Sequence, residues 1–102
     1  MLLSEIHEKV NSYKIKWRGH ATQRLNQRRI IRSNAIHALL NGDIIEDYPE
    51  DFPFPSCLVL DSDENDLPLH IVCSIGQDFL WIITVYRPDS NRWENDNKTR
   101  KR

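Results

Sequence analysis

The densest chemistry in the chain lies in the run Arg18-Gly19-His20-Ala21-Thr22-Gln23-Arg24-Leu25-Asn26-Gln27-Arg28-Arg29-Ile30. It reads as a short amphipathic helix, and at 3.6 residues per turn His20, Arg24 and Arg28 share one face. Three such groups on one stripe repel one another unless an anion lies opposite. A phosphate or carboxylate partner is the expected explanation. Arginine suits phosphate because its planar fork engages two oxygens at once.

A second polar group is expected on two later β-rich runs, Leu69 to Ile75 and Phe79 to Tyr86, joined around Gly76-Gln77-Asp78. A three-residue connection would pair Ile75 with Phe79 and set His70 opposite Thr84. One face would then carry His70, Ser74, Thr84 and Tyr86. The other would oppose Leu69, Ile71, Cys73 and Ile75 to Phe79, Trp81, Ile83 and Val85 as the main core. A two-residue Gly76-Gln77 turn would instead bring His70 beside Ile83. In so apolar a strand, His70 can equally be a satisfied core histidine.

Placed together, the two groups offer two imidazoles, guanidinium groups and a phenol. No Asp or Glu cluster lies near them in sequence, so a two-metal nuclease site is not expected, and neither metal nor cofactor is called for. Cleavage of RNA needs no metal. One group takes the 2′-hydroxyl proton, another protonates the leaving 5′-oxygen, and cations stabilise the charge on the phosphorus oxygens. His20 and His70 are the candidates for the proton transfers, with Tyr86 as alternative. Arg24 and Arg28 would hold the phosphate, with Thr84 beside them, and Lys14, Lys16, Arg18 and Arg87 would contact the strand.

The formal net charge of −1 conceals a segregation along the chain. Every charged side chain from Lys14 to Arg32 is basic, every one from Asp43 to Asp66 is acidic, and the end turns basic again at Lys98, Arg100, Lys101 and Arg102. The near-neutral total argues against nonspecific coating of nucleic acid, whereas a segregated patch can bind a polyanion locally. The competing explanation is that the two blocks pair with each other in the fold.

The elements that must position these residues follow from the patterning. Leu2, Leu3, Ile6 and Val10 recur at helical spacing over Met1 to Ser12, and Tyr13 to Trp17 alternates apolar and basic like a half-buried strand. The His-Arg helix turns Ala21 and Leu25 inward. Ser33 reads as the N-cap of a further helix over Asn34 to Asn41, with Gly42 in the left-handed position after it. Ile44 to Tyr48 and Cys57 to Leu60 read as strands on either side of a loop marked by Pro49, Pro53 and Pro55. The expectation is a single α+β domain over residues 1–102, comprising an N-terminal helix, a strand, two short helices and an antiparallel four-stranded meander. Residues 94–102 are expected to form a mobile basic tail beyond a plug at Trp93.

No run is long enough to span a bilayer and no signal-peptide pattern precedes the domain, so a cytoplasmic location is expected, with Cys57 and Cys73 as buried thiols. Two cysteines without Cys-x-x-Cys spacing make no metal site.

The pattern His20-Ala21-x-x-Arg24-Leu25-x-x-Arg28-x-Ile30 resembles the signature of the family known as domain of unknown function 4258. Gly42 to Tyr48, Leu69 to Val72 and Ile82 to Asp89 agree with it, and the likeness covers roughly residues 15 to 102. Members look like small prokaryotic toxins of toxin–antitoxin pairs, often encoded beside an antitoxin with a zinc-finger domain. The resemblance implies a fold similar to the RelE/ParE-type toxins and to microbial ribonucleases of the barnase kind. It implies His20, Arg24, Arg28, His70, Thr84 and Tyr86 as site positions, and Arg100 as a phosphate contact. It further implies an endoribonuclease acting on messenger RNA, free or on the ribosome, and held by its antitoxin. The helix over residues 1–12 looks like an addition. Where members usually carry glycine before the isoleucine, this chain has Arg29. Toxins of this fold also strike other targets, and a non-catalytic module binding a protein or nucleic acid is the competing class.

Overall fold

The computed structural model describes residues 1–102. Eight elements follow one another: α1 (Leu3–Asn11), β1 (Ile15–Trp17), α2 (Ala21–Gln27), α3 (Arg32–Asn41), β2 (Asp43–Tyr48), β3 (Ser56–Ser62), β4 (Pro68–Gly76) and β5 (Phe79–Tyr86). The strands form one sheet in the order β1-β5-β4-β3-β2. Strands β2 to β5 make an antiparallel meander, but β1 adds to the edge of β5 in parallel, pairing Ile15, Lys16 and Trp17 with Leu80, Trp81 and Ile82. The sheet is therefore five-stranded and mixed, not a four-stranded antiparallel one. The alternation at Ile15 to Trp17 announced a strand but carried no information about its neighbour.

The helices cover one sheet face. Ile6 and Val10 of α1, Leu25 of α2 and Ala35, Ala38 and Leu39 of α3 meet Cys57, Val59, Leu69, Ile71, Cys73, Leu80, Ile82 and Val85 in one buried cluster. Each fully buried leucine or isoleucine there contributes roughly 1.5–3 kcal/mol by leaving water. Cys57 and Cys73 face each other across β3 and β4 as free thiols, with Sγ atoms 3.7 Å apart. No helix is long and apolar enough to cross a membrane.

Two helix signals resolve differently from expectation. Helix α3 starts at Arg32 after Ile31, so Ser33 is its second residue and no side chain caps the end. Gly42 is extended (φ −81°, ψ 176°), not left-handed. It is required for space, because a Cβ there would lie 2.5 Å from the Leu60 carbonyl oxygen and 2.7 Å from that of Ala38.

The β4–β5 hairpin departs from both expected registers. Its turn is Gln77-Asp78, both at positive φ (55° and 69°) as a two-residue primed turn requires, with Gly76 opposite Phe79. The pairing runs Ile75 with Leu80, Ser74 with Trp81 and Cys73 with Ile82, then skips Ile83 and resumes as Val72 with Thr84 and His70 with Tyr86. Ile83 is thus a β-bulge, which places two successive residues on one face. The core strip of β5 is Leu80, Ile82 and Val85 in place of Phe79, Trp81, Ile83 and Val85. Asp78 in the turn receives Lys9 of α1 and Lys14, each at 2.7 Å, and these ammonium groups hold its carboxyl down at about 2.

Candidate functional site

Arg18 continues the β1–β5 ladder by one bond, its N–H donating to the Ile82 carbonyl at 2.9 Å. Gly19, at φ +48°, then turns the chain into α2. His20 sits at the N-cap position with its ring exposed, Nδ1 lying 3.1 Å from Gln23 Oε1. In the neutral ring that bond puts the proton on Nδ1 and leaves Nε2 free to accept one. Arg18, His20 and Arg24 line a shallow pocket of about 170 Å³ with Gly19, Ala21 and Ile83. Neither guanidinium makes a hydrogen bond or ion pair within the chain.

The C-terminal end of α2 fixes Arg28. Ile30 N–H donates to the Leu25 carbonyl and Arg29 N–H to that of Asn26, with Arg29 left-handed at φ 55°. This is the Schellman closure, and Leu25 and Ile30 supply its apolar contact in the core. Arg28, held at the cap, reaches the stretch of β5 that β1 leaves uncovered. Its Nη1 donates to the Val85 carbonyl at 2.6 Å and to Thr84 Oγ1 at 3.2 Å.

Thr84 lies on the sheet face away from the helices because of the bulge, and so does Tyr86. Ser74 and His70 join them there, so the expected polar face exists although the expected pairing of His70 with Thr84 does not. His70 is fully buried. Its Nε2–H donates to the Asn97 carbonyl at 2.7 Å, Nδ1 faces the Tyr86 hydroxyl at 3.3 Å, and the Trp93 ring packs against it edge-on at 4.6 Å. A carbonyl can only accept, so the proton sits on Nε2 and the Tyr86 hydroxyl donates to Nδ1. Burial disfavours the imidazolium and lowers the pKa of His70, and burial likewise raises that of Tyr86, which stays protonated. His70 makes no bond to Arg28 or Thr84; its ring nitrogens go to Asn97 and Tyr86.

The cover over His70 comes from the segment expected as a mobile tail. Trp93 bridges Arg100, Lys101 N–H donates to the Arg92 carbonyl, and Asn97 adopts φ 59°, a left-handed turn asparagine tolerates. Arg100 holds Glu46 of β2 through two bonds of 2.8 and 2.9 Å and stacks over Trp93 at 4.5 Å. Glu46 also accepts the Tyr48 hydroxyl, whose pKa is pushed up to about 12 by burial and by that bond. Glu46, Tyr48 and Asn97 were not singled out from the sequence, where nothing marks a backbone carbonyl as a partner for a histidine. The acidic block contains Glu46, but not the reach of Arg100.

The expected strand contacts are mostly engaged elsewhere. Lys14 pairs with Asp78, Lys16 lies over the Phe79 and Trp81 rings, and Arg87 binds the buried Asp63 carboxylate at 2.8 Å and the Pro68 carbonyl. Only Arg18 joins Arg24 without a partner. The two charge blocks do not neutralise each other. The ion pairs of the acidic block go to the N-terminal amine, His37, Arg87 and Arg100, and none goes to a side chain between Lys14 and Arg32. No three His, Cys, Asp or Glu side chains gather to hold a metal ion.

The fold and this corner define a small α+β domain with a cationic face at the α2–β5 junction. Residues 17–87 match the family described as Domain of unknown function (DUF4258), and the chain belongs to that family. No curated protein and no solved structure matches the chain.

Proposed function

We propose that this protein is a metal-independent endoribonuclease, the toxin of a prokaryotic toxin–antitoxin pair, with a fold of the RelE/ParE type, acting on messenger RNA in the cytoplasm until a cognate antitoxin binds it. The observation that carries the reading is the open pocket of Arg18, His20 and Arg24, whose own lining holds no carboxylate, with Arg28 at the far end of α2 already oriented on Thr84. In this mechanism His20 Nε2 takes the 2′-hydroxyl proton, and the 2′-oxygen attacks phosphorus. Arg24 and Arg28 hold the non-bridging oxygens as charge builds. The Tyr86 hydroxyl turns from His70 Nδ1 to give its proton to the leaving 5′-oxygen, and the charges of Arg100 and Arg28 favour the phenolate this creates. The products are a 2′,3′-cyclic phosphate and a 5′-hydroxyl. His70, enclosed and neutral, positions Tyr86 and transfers no proton to substrate.

The burial of His70 favours one competing reading, a non-catalytic module that binds an anionic partner, since it leaves a single exposed imidazole at the site. Induced expression in bacteria of the wild-type chain beside His20→Ala separates the two. Growth arrest with new RNA 5′ ends, both lost in the variant, supports the ribonuclease. Arrest without new ends moves the target away from RNA, and folded protein giving neither supports the binding module.

A further inference from the structure

The pocket of Arg18, His20 and Arg24 shares two lining residues, Arg18 and Ile83, with a larger cavity of about 460 Å³. Its walls are Phe52, Phe54 and Trp81, with Asp51, Ser56 and Ser74 among its polar lining. We propose that this cavity is a nucleobase pocket, seating one base of an RNA strand whose phosphate lies on the Arg18, His20 and Arg24 side. The proposal rests on the RNA-binding part of the reading above and adds the element that would read the substrate.

Three observations carry it. First, two walls are set in advance. The Trp81 indole N–H donates to the Gly76 carbonyl at 3.1 Å, and Gly76 leaves the space that the Phe54 ring fills, where any Cβ would overlap it. Flat aromatic surfaces held in place are what a base stacks on, whatever its identity. Phe52, 93 % exposed at the mouth, is a third ring free to close on a ligand.

Second, the polar groups sit where a base edge could use them. The Asp51 carboxylate accepts the Ser56 hydroxyl through Oδ2, while its Oδ1 is unbonded within the chain. Ser74 is only 5 % exposed, and its hydroxyl has no partner in the chain. An ionised carboxylate accepts only, so it selects among bases by the N–H groups they present.

Third, the unpaired Arg18 lines both this cavity and the neighbouring pocket that holds His20 and the unpaired Arg24. An occupant aromatic at one end and anionic at the other fits both halves, and a nucleotide has that chemistry. An apolar side chain from a protein partner would fill the aromatic half and leave Arg18 and Arg24 unanswered.

The test uses the whole chain with four RNA trinucleotides, one per base, carrying 2′-O-methyl groups that block cleavage. Binding is followed by calorimetry and by the Trp81 indole N–H resonance. The trinucleotides are expected to shift that resonance, whereas ribose 5-phosphate leaves it in place. Phe52→Ala and Trp81→Ala should weaken binding by roughly five- to hundred-fold, the value of one stacked base. Asp51→Asn should reorder the preference among the four bases. Phe52 is so exposed that its removal leaves the fold intact, so its result stands if the Trp81 variant misfolds. Wild-type affinity in Phe52→Ala, or trinucleotides that shift Arg24 and not Trp81, would overturn the pocket while leaving the ribonuclease reading untouched. A phenylalanine-bearing peptide that shifts Trp81 where RNA does not would make the cavity a protein-docking site and overturn the proposal. A Trp81 response in a protein that cleaves no RNA would sustain the pocket and remove the catalytic reading alone.

Discussion

The Nε2–H of His70 donates to the carbonyl oxygen of Asn97 at 2.7 Å, across a sequence separation of 27 residues. A strand buried in the meander is thereby tied to the C-terminal segment, and the ring is fixed as the neutral Nε2–H tautomer. This has a consequence for acid stability. In the unfolded chain the imidazole takes up its proton near its ordinary pKa of about 6.5, while burial holds the folded value lower. Below about pH 6.5 the unfolded state therefore binds more protons, and stability falls as pH drops. Urea midpoints measured from pH 7.5 to 5.5 should decline in the wild type. His70→Gln, which keeps a donor for Asn97, should flatten that decline, and an unchanged slope would assign it to other groups.

Arg29 occupies the left-handed position of the Schellman closure, a conformation that costs a side chain about 1 kcal/mol relative to glycine. Arg29→Gly should therefore raise stability by roughly that amount, read as a rise of several degrees in the thermal midpoint. The geometry at Arg28 should be unchanged, since the same two backbone bonds close the helix. A lower midpoint would show that Arg29 makes a contribution beyond its backbone.

Arg28 and Arg24 should separate in function because one is seated and the other free. Arg28→Ala removes the bonds to Val85 and Thr84, costing roughly 1 kcal/mol of stability. On the ribonuclease reading it also lowers cleavage by ~100-fold or more. Arg24→Ala should leave stability unaltered and reduce the salt dependence of single-strand binding by about 0.7 in log–log slope, one phosphate contact. Affinity measured between 50 and 200 mM salt, at about the range where such slopes are read, checks this. An unchanged slope would take Arg24 off the phosphate.

The Glu46–Arg100 pair clamps the terminal segment to β2. Arg100 and the bond from Tyr48 lower the pKa of Glu46, so the clamp is complete above the ordinary carboxylate range and is lost as pH falls through the lowered value. Since Arg100 is largely exposed, Glu46→Gln should cost no more than about 1 kcal/mol globally. The effect should concentrate locally, as faster hydrogen exchange at the Lys101 and Glu94 amides, which donate to Arg92 and Thr99. Equal exchange in both proteins would show that Trp93 and the His70–Asn97 bond hold the segment without the clamp.

How much was legible in the sequence differs from element to element. The helices and strands declared themselves through apolar spacing, and the stripe of His20, Arg24 and Arg28 was visible from their four-residue steps. The hairpin register was not, because Gly76-Gln77-Asp78 allows more than one turn and a bulge leaves no mark in composition. The grouping of His70, Ser74, Thr84 and Tyr86 on one face was reached from the wrong pairing. A shorter turn shifts the ladder one way and Ile83 restores the parity. The fate of His70 depended on a backbone carbonyl 27 residues away, which no local pattern reports. Likewise, residues 94–102 are polar throughout, and the stacking of Arg100 on Trp93, its reach to Glu46 and the bond from His70 to the Asn97 carbonyl give them a place.

Strand β5 is one residue longer than a flat ladder opposite β4 would need, and Ile83 absorbs the excess. On the turn side of it, odd-numbered positions look away from the helices; on the far side, even-numbered ones do. The strand therefore behaves as two half-strands in opposite phase, one presenting Trp81 and the other Thr84 and Tyr86. Substitutions in the turn and the aromatic wall therefore act on a half-strand separate from the one that carries Thr84 and Tyr86.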